Sequence, residues 1–304
     1  MMRFSIIGAG RLGTALAFAM TRRGWELAVI ADCDPAAARE ARAAVGRGRA
    51  SGDIRRAARG VGVLFLCVPD RAVRPTARRL ARSAAGWPGR VVFHTSGLLP
   101  SSALEPLRRK GAPTAALHPV RSFPEKKGGL RLFRGISWGV EGDPQAVRLG
   151  AAIVRRLGGR VFHVHEEDKP LYHAACSLAS NAFIALEAAA ADMLQVAGIS
   201  RASARTALWP LVEGTLRNVK ELGWEKALTG PVARGDVGTV RCHLEALKAR
   251  PLEAEIYRAL AKRALGLVGR GKIPAGKVRT LSRLLEGRRL PPRAARRPSR
   301  RPAP

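Results

Sequence analysis

The stretch Arg3-Phe4-Ser5-Ile6-Ile7-Gly8-Ala9-Gly10-Arg11-Leu12-Gly13 decides the fold. Residues 3–8 form a short apolar run suited to a buried strand. Gly8, Gly10 and Gly13 follow with GxGxxG spacing, and residues 14–23 have helical periodicity, with Leu16, Ala17, Ala19 and Met20 available to a sheet. Gly24 ends that helix, residues 27–31 form the next strand, and Asp32 stands at its end, 24 residues after Gly8. Glycines between a strand and a helix, with an acid at that distance, form a dinucleotide fingerprint. Each glycine has its own task. Gly8 makes the tight turn, Gly10 lets backbone approach a pyrophosphate, and Gly13 lets helix and strand pack closely. Arg11 and Leu12 open the helix, whose free N–H groups and dipole favour an anion.

Working outward, the alternation of strand and helix continues. Residues 61–68 are a wholly apolar run, as expected of a central parallel strand. Val68 and Pro69 lie at its carboxyl end, where a ligand would bind. Residues 71–85 read as a basic amphipathic helix, residues 90–95 as a strand ending in Ser96-Gly97, and residues 112–117 as another ending in His118-Pro119. Residues 136–140 and 160–164 complete the strands, with a helix near 144–157 between them. The pattern predicts an α/β domain over residues 1–165 with a doubly wound, Rossmann-like parallel sheet. Beyond His165 the strand signals stop. Residues 166–197 lack glycine and predict one long helix. Further helices are expected at 200–222, 237–248, 251–269 and 274–286, giving an all-helical C-terminal domain over 166–287. Residues 288–304, rich in Arg and Pro, are expected to be disordered.

The chain has 304 residues, enough for two domains. Its formal net charge is +31, from 54 Lys and Arg against 23 Asp and Glu. The arginines are spread along the chain, and Arg, Ala, Gly and Pro all have GC-rich codons. Nonspecific attraction to polyanions is therefore expected rather than a specific nucleic-acid role. Cys33, Cys67, Cys176 and Cys242 form no CxxC pair, so neither a disulfide framework nor a metal site is expected, and a reducing cytoplasm fits. No uncharged apolar run reaches about 18 residues, so no membrane span is expected. The long helix is apolar on most sides (Leu178, Phe183, Ile184, Leu186 and the alanines 188–191), which predicts burial against a second subunit in a homodimer.

Several phrases coincide with a known family. They are the opening GAGRLG, Val68-Pro69-Asp70, His94-Thr95-Ser96-Gly97, His118-Pro119 with Ser122-Phe123, His173 through Ser180-Asn181, Thr229-Gly230-Pro231, and Arg234-Gly235-Asp236. Together they resemble the Rossmann-like and DUF2520 proteins, relatives of the pyrroline-5-carboxylate reductases and the 6-phosphogluconate-dehydrogenase-like group, over residues 3–287. The resemblance implies an NAD(P)-binding domain, a helical dimer-forming domain, and reduction of a small oxo acid or cyclic imine acid. A departure accompanies it. Many relatives in the wider group place a proton-donating Lys four residues before an Asn. Here Asn181 matches the Asn, but Ser177 occupies the lysine's place, and Lys169 lies too far back for that role.

The candidate site follows from chemistry. Hydride transfer to a carbonyl or imine needs a proton donor, which histidine supplies near neutral pH. His173, His118 and Asn181 are the catalytic candidates, with His173 and Asn181 about 80° apart on an ideal helix. Gly8, Gly10, Arg11, Leu12, Gly13, Asp32, Val68, Pro69 and Ser96 are the cofactor candidates. Asp32 would accept from a ribose hydroxyl and repel a 2′-phosphate, which favours NAD over NADP, although Arg11 and Arg39 could still receive a phosphate. Ser177, Thr229, Arg234, Asp236 and His243 are the substrate candidates, with helix capping as the competing role of Asp236. His94, His163 and His165 are expected to be structural. The alternatives to a reductase are a dinucleotide-binding sensor without turnover and a basic, nucleic-acid-associated protein.

Overall fold

The computed structural model describes residues 2–83, 86–124, 129–269 and 271–287. The expected disorder of 288–304 lies outside the described residues. The chain divides into two compact units, residues 1–183 and 184–304. The division falls inside the long helix rather than at 165–166, because the first turns of that helix pack on the sheet.

Among its described residues, unit 1 holds eight strands: β1 (Arg3–Ile7), β2 (Glu26–Ala31), β3 (Arg49–Ser51), β4 (Val63–Leu66), β5 (Val91–His94), β6 (Thr114–Pro119), β7 (Ser137–Gly142) and β8 (Arg160–His163). Their order is β3-β2-β1-β4-β5-β6-β7-β8. The order reverses between β1 and β4, which puts the ligand crevice at their carboxyl ends. The helices are α1 (Arg11–Arg22), α2 (Pro35–Val45), the single turn α3 (Ile54–Ala57), α4 (Asp70–Ala81), the short α5 (Glu105–Arg108) and α6 (Pro144–Leu157). The sheet is parallel except at β6 and β7, which pair antiparallel from Ala115↔Gly142 to Pro119↔Trp138. Strand β3, only three residues long, left no run for the sequence pattern to detect.

Side-chain alternation builds two cores. Phe4, Ile6, Leu16, Met20, Phe65 and Phe93 pack on one face of the sheet. Ile7, Leu64, Leu66, Val73, Leu80 and Val92 pack on the other. Each large side chain so buried contributes about 1.5–3 kcal/mol. These cores hold the strand ends in fixed register.

The long helix begins at Lys169, three residues later than the sequence pattern suggested, with Pro170 in its first turn. It runs as α7 (Lys169–Ser177), a π turn (Leu178–Ala182) and α8 (Phe183–Val196). By length and composition, 169–196 could cross a membrane. The sequence criterion passed over it because Glu187 and Asp192 interrupt the apolar run. Unit 2 continues with α9 (Arg201–Leu222), the single turns α10 (Trp224–Ala227) and α11 (Gly230–Ala233), then α12 (Val237–Ala246), α13 (Pro251–Leu267) and α14 (Ala275–Leu285).

Candidate active site

The glycine turn joins β1 to α1. Gly8 has φ +103°, and a Cβ there would lie 2.2 Å from the Cys67 carbonyl oxygen at the exit of β4. A Cβ on Gly13 would lie 1.9 Å from the Gly8 carbonyl oxygen. A Cβ on Gly10 would meet nothing within 4 Å. Two glycines therefore close the turn, and the third opens onto free space. Gly10 caps α1 without a side-chain hydrogen bond, and the first turn of α1, which contains Arg11, Leu12 and Gly13, holds no acid. Its N–H groups and dipole suit a phosphate. These residues fit a dinucleotide's pyrophosphate.

Asp32 sits at the end of β2 beside the turn. Its Oδ2 accepts the Ala9 N–H at 2.7 Å, and its Oδ1 accepts the Asp34 N–H at 3.0 Å. Burial alone would raise its pKa, but the hydrogen bonds from Asp34, Ala9 and Cys33 outweigh that and hold it below the usual carboxylate range. The carboxylate is a strut between β2 and the glycine turn, and it carries its negative charge at the crevice. Asp34 caps α2 by accepting the Ala36 N–H at 2.8 Å. Cys67 is inert as a nucleophile, since burial pushes its thiol up to about 12.

The ends of β5 and β6 carry the second half of the site. Register pairs Ala116 with both His94 and Glu141, and His118 with Gly139. His94, Glu141 and His118 therefore share one face of the sheet. Two glycines, Gly97 and Gly139, leave room there for α7. A Cβ on Gly97 would lie 2.6 Å from His173 Cδ2 and 2.9 Å from His118 Nε2. A Cβ on Gly139 would lie 2.8 Å from the Tyr172 hydroxyl. The helix presents Lys169, Tyr172, His173 and Cys176 at spacings i, i+3, i+4 and i+7, a single stripe.

In that seat the Tyr172 hydroxyl and His118 Nδ1 are hydrogen-bonded at 2.6 Å. With the hydroxyl as donor, the His118 ring proton sits on Nε2, at the edge resting on Gly97. The His118 and His173 rings lie edge to face, 6.1 Å between centroids. Burial first, then the neighbouring His173 and Lys169, lowers the His118 pKa to about 4. His118 is thus a neutral hydrogen-bond donor at neutral pH. Tyr172 is pushed above the usual phenol range, first by burial and then by Cys176.

The other candidates have plainer surroundings. His94 Nε2 donates to the Pro100 carbonyl at 3.0 Å, and its Nδ1 accepts the Ser96 N–H at 3.2 Å, so the ring is fully used as a neutral structural group. Ser96 Oγ accepts the Leu98 and Leu99 N–H groups at 3.1 and 2.9 Å, which folds the turn. Val68 and Pro69 lie at the β4 exit, between β4 and α4. Ser177 and Asn181 are exposed, Asn181 on the π turn. A π turn takes up an extra residue, so the spacing of an ideal helix does not carry His173's face through to Asn181.

In unit 2, Thr229 and His243 line one apolar cavity of about 330 Å³ with Leu186, Met193, Leu228 and Tyr257. The Tyr257 hydroxyl and His243 Nδ1 are hydrogen-bonded at 2.8 Å. Asp236 caps α12, its Oδ1 accepting the Thr239 N–H at 3.0 Å, and Arg234 is exposed at the end of α11.

Sequence reasoning missed Tyr172 and Glu141, and set Lys169 aside as too far back for a proton donor. The signal was present in the polar stripe 169/172/173/176 on an otherwise apolar helix.

Residues 1–119 match the Rossmann-like domain, and residues 136–264 match the domain of unknown function DUF2520. The chain is a Rossmann-like and DUF2520 domain protein. No curated protein sequence matches it. Among solved structures, it is similar to protein TM1727 from Thermotoga maritima, with 25% identity over 87% of this chain and 98% of that one, at TM-score 0.68. The candidate NADP oxidoreductase BF3122 from Bacteroides fragilis has 23% identity over 87% and 98%, also at 0.68. An imine reductase from Streptomyces aurantiacus has 16% identity over 92% and 99%, at 0.62. At such identities these last two likenesses concern the fold.

Proposed function

We propose that this Rossmann-like and DUF2520 domain protein is an NAD(P)-dependent reductase of a small oxo acid or imine acid, of the ketopantoate or pyrroline-carboxylate type. One observation carries the reading. The glycine turn with open space at Gly10 and the His118–Tyr172–His173 cluster lie on the same carboxyl edge of one sheet. The relatives of similar fold include an imine reductase and pyrroline-5-carboxylate reductases.

Gly8, Gly10, Gly13 and the first N–H groups of α1 would hold the dinucleotide. Asp32 would meet its ribose, and the negative charge of Asp32 favours NAD over NADP. When bound, the cofactor would supply a hydride to the substrate carbon. The chain's own residues manage the electrons that this hydride displaces. The Nε2–H of His118 donates a hydrogen bond to the carbonyl oxygen or imine nitrogen, as a neutral imidazole can without giving up its proton. His173, beside it on α7, delivers the proton that completes the alcohol or amine and regains one from water. Tyr172 keeps His118 in the required tautomer.

The site suits a small-molecule substrate. Four cysteines with no CxxC pair support a reducing cytoplasmic setting, and from the basic charge we expect nonspecific attraction to polyanions.

The test is a titration with NADH and NADPH followed by nicotinamide fluorescence, then a screen of oxo acids and cyclic imines with the cofactor that binds. Saturable binding, tighter for NADH, and turnover lost in His173→Asn with cofactor affinity kept are the expected results. Binding of neither cofactor would overturn the reading.

A further inference from the structure

The reductase reading leaves one buried charge unused. Lys169 is 1% exposed, the single lysine in the buried part of the described residues. Its Nζ lies 3.5 Å from the Ser96 carbonyl oxygen and 3.7 Å from Glu141 Oε1. Glu141 is 8% exposed, and its Oε1 also accepts the Ser101 N–H at 2.6 Å. The pair thus grips both ends of the 96–101 turn, and Gly97, on which His118 and His173 rest, lies within it.

Burying two charges is costly, and a well-packed apolar pair of the same volume is often as stable. Stability alone does not account for an ion pair at this place. Its position does. The groups that interact with the ammonium are Glu141 from β7, His94 from β5, His118 from β6, Asp70 from α4 and Glu166 just before α7.

We propose that Lys169, paired with Glu141, is the positioning residue of the site, fixing the Ser96–Gly97 turn on which His118 and His173 rest. The inference depends on His118 and His173 being the reacting groups, but the device can be measured without turnover. A cation held there disfavours a second cation on His118 or His94: burial and then Lys169 lower the His94 pKa, and burial, then His173, then Lys169 lower that of His118. Neutral His118 is the form that can donate from Nε2 while accepting from Tyr172. Lys169 itself is held below the usual lysine range by burial, with Glu141 the main opposing influence.

The experiment uses the full chain with Lys169→Met and the double variant Lys169→Met/Glu141→Gln, which removes the pair together and strands no charge. Imidazole NMR titration is the first readout, with His118 assigned from His118→Asn. Removal of the cation moves the His118 midpoint up by about one pH unit. The second readout is turnover, in which kcat falls about tenfold while cofactor Kd stays within about twofold. An unmoved His118 midpoint in the folded double variant would overturn the proposal. A moved midpoint in a protein that turns over no substrate would uphold the positioning role and sink the reductase reading instead.

Discussion

At the residue scale, the three glycines of the first turn look equivalent in the sequence and differ in the structure. Gly13 faces the Gly8 carbonyl at a distance no Cβ can occupy, whereas Gly10 faces open space. Gly13→Ala must shift backbone, at about 1–3 kcal/mol. Its Tm is expected to drop by several degrees. Gly10→Ala leaves Tm nearly unchanged yet puts a methyl group where a pyrophosphate would lie. Its cofactor affinity is expected to fall about tenfold or more. Thermal unfolding and fluorescence titration of the two variants check this contrast, and equal Tm losses would remove the argument that Gly10 is kept for a ligand. The motif was legible because strand, turn and helix are contiguous in sequence. The His118–Tyr172 bond was not, because it joins residues 54 apart through a seat that depends on Gly97 and Gly139. No local pattern marks those glycines as belonging together.

At the scale of elements, the seating of α7 on β5, β6 and β7 controls the site. Most strands and helices were legible from apolar runs and periodicity. The antiparallel turn of β7 was not, since strand direction depends on where a connection returns and not on the strand's own residues. The angle between His173 and Asn181 is not that of an ideal helix, because a π turn intervenes. Two histidines under α7 give this region a pH dependence. Burial holds the His94 pKa near 3 and the His118 pKa near 4. In the unfolded chain both titrate near 6.5. As pH falls below about 6.5, the unfolded chain takes up protons that the folded one refuses, so stability is lost down through the folded values. The loss approaches about 1.4 kcal/mol per pH unit for each histidine. Glu141, raised first by burial, offsets part of it. Denaturant unfolding at about pH 7 and about pH 5 should therefore show a clear fall. His94→Asn/His118→Asn should flatten it. An equally steep fall in that variant would place the acid sensitivity elsewhere.

At the scale of the whole molecule, the apolar surface and the charge point in different directions. A net charge of +31 opposes self-association through repulsion, and salt weakens that repulsion. Yet Leu171, Leu178 and Ile184 are 74%, 70% and 67% exposed along the helix 169–196, and Trp209, Leu211 and Leu216 are exposed on α9. A stretch of this length and apolarity invites either a bilayer or another protein. The polar stripe of α7 favours the protein, because Lys169, Tyr172 and His173 at one end are already seated on the sheet. We propose that a second copy of this chain covers the helix. The expected particle in moderate salt has twice the 32.6 kDa chain mass. A stable pair needs about 800 Å² buried on each partner, within reach of a helix this long. Ile184→Glu would bury a carboxylate in such an interface. The variant should run at the single-chain mass in size-exclusion chromatography with light scattering, its far-ultraviolet circular dichroism preserved. A wild-type chain that stays at the single-chain mass at micromolar concentration and moderate salt would remove the second copy as the occupant.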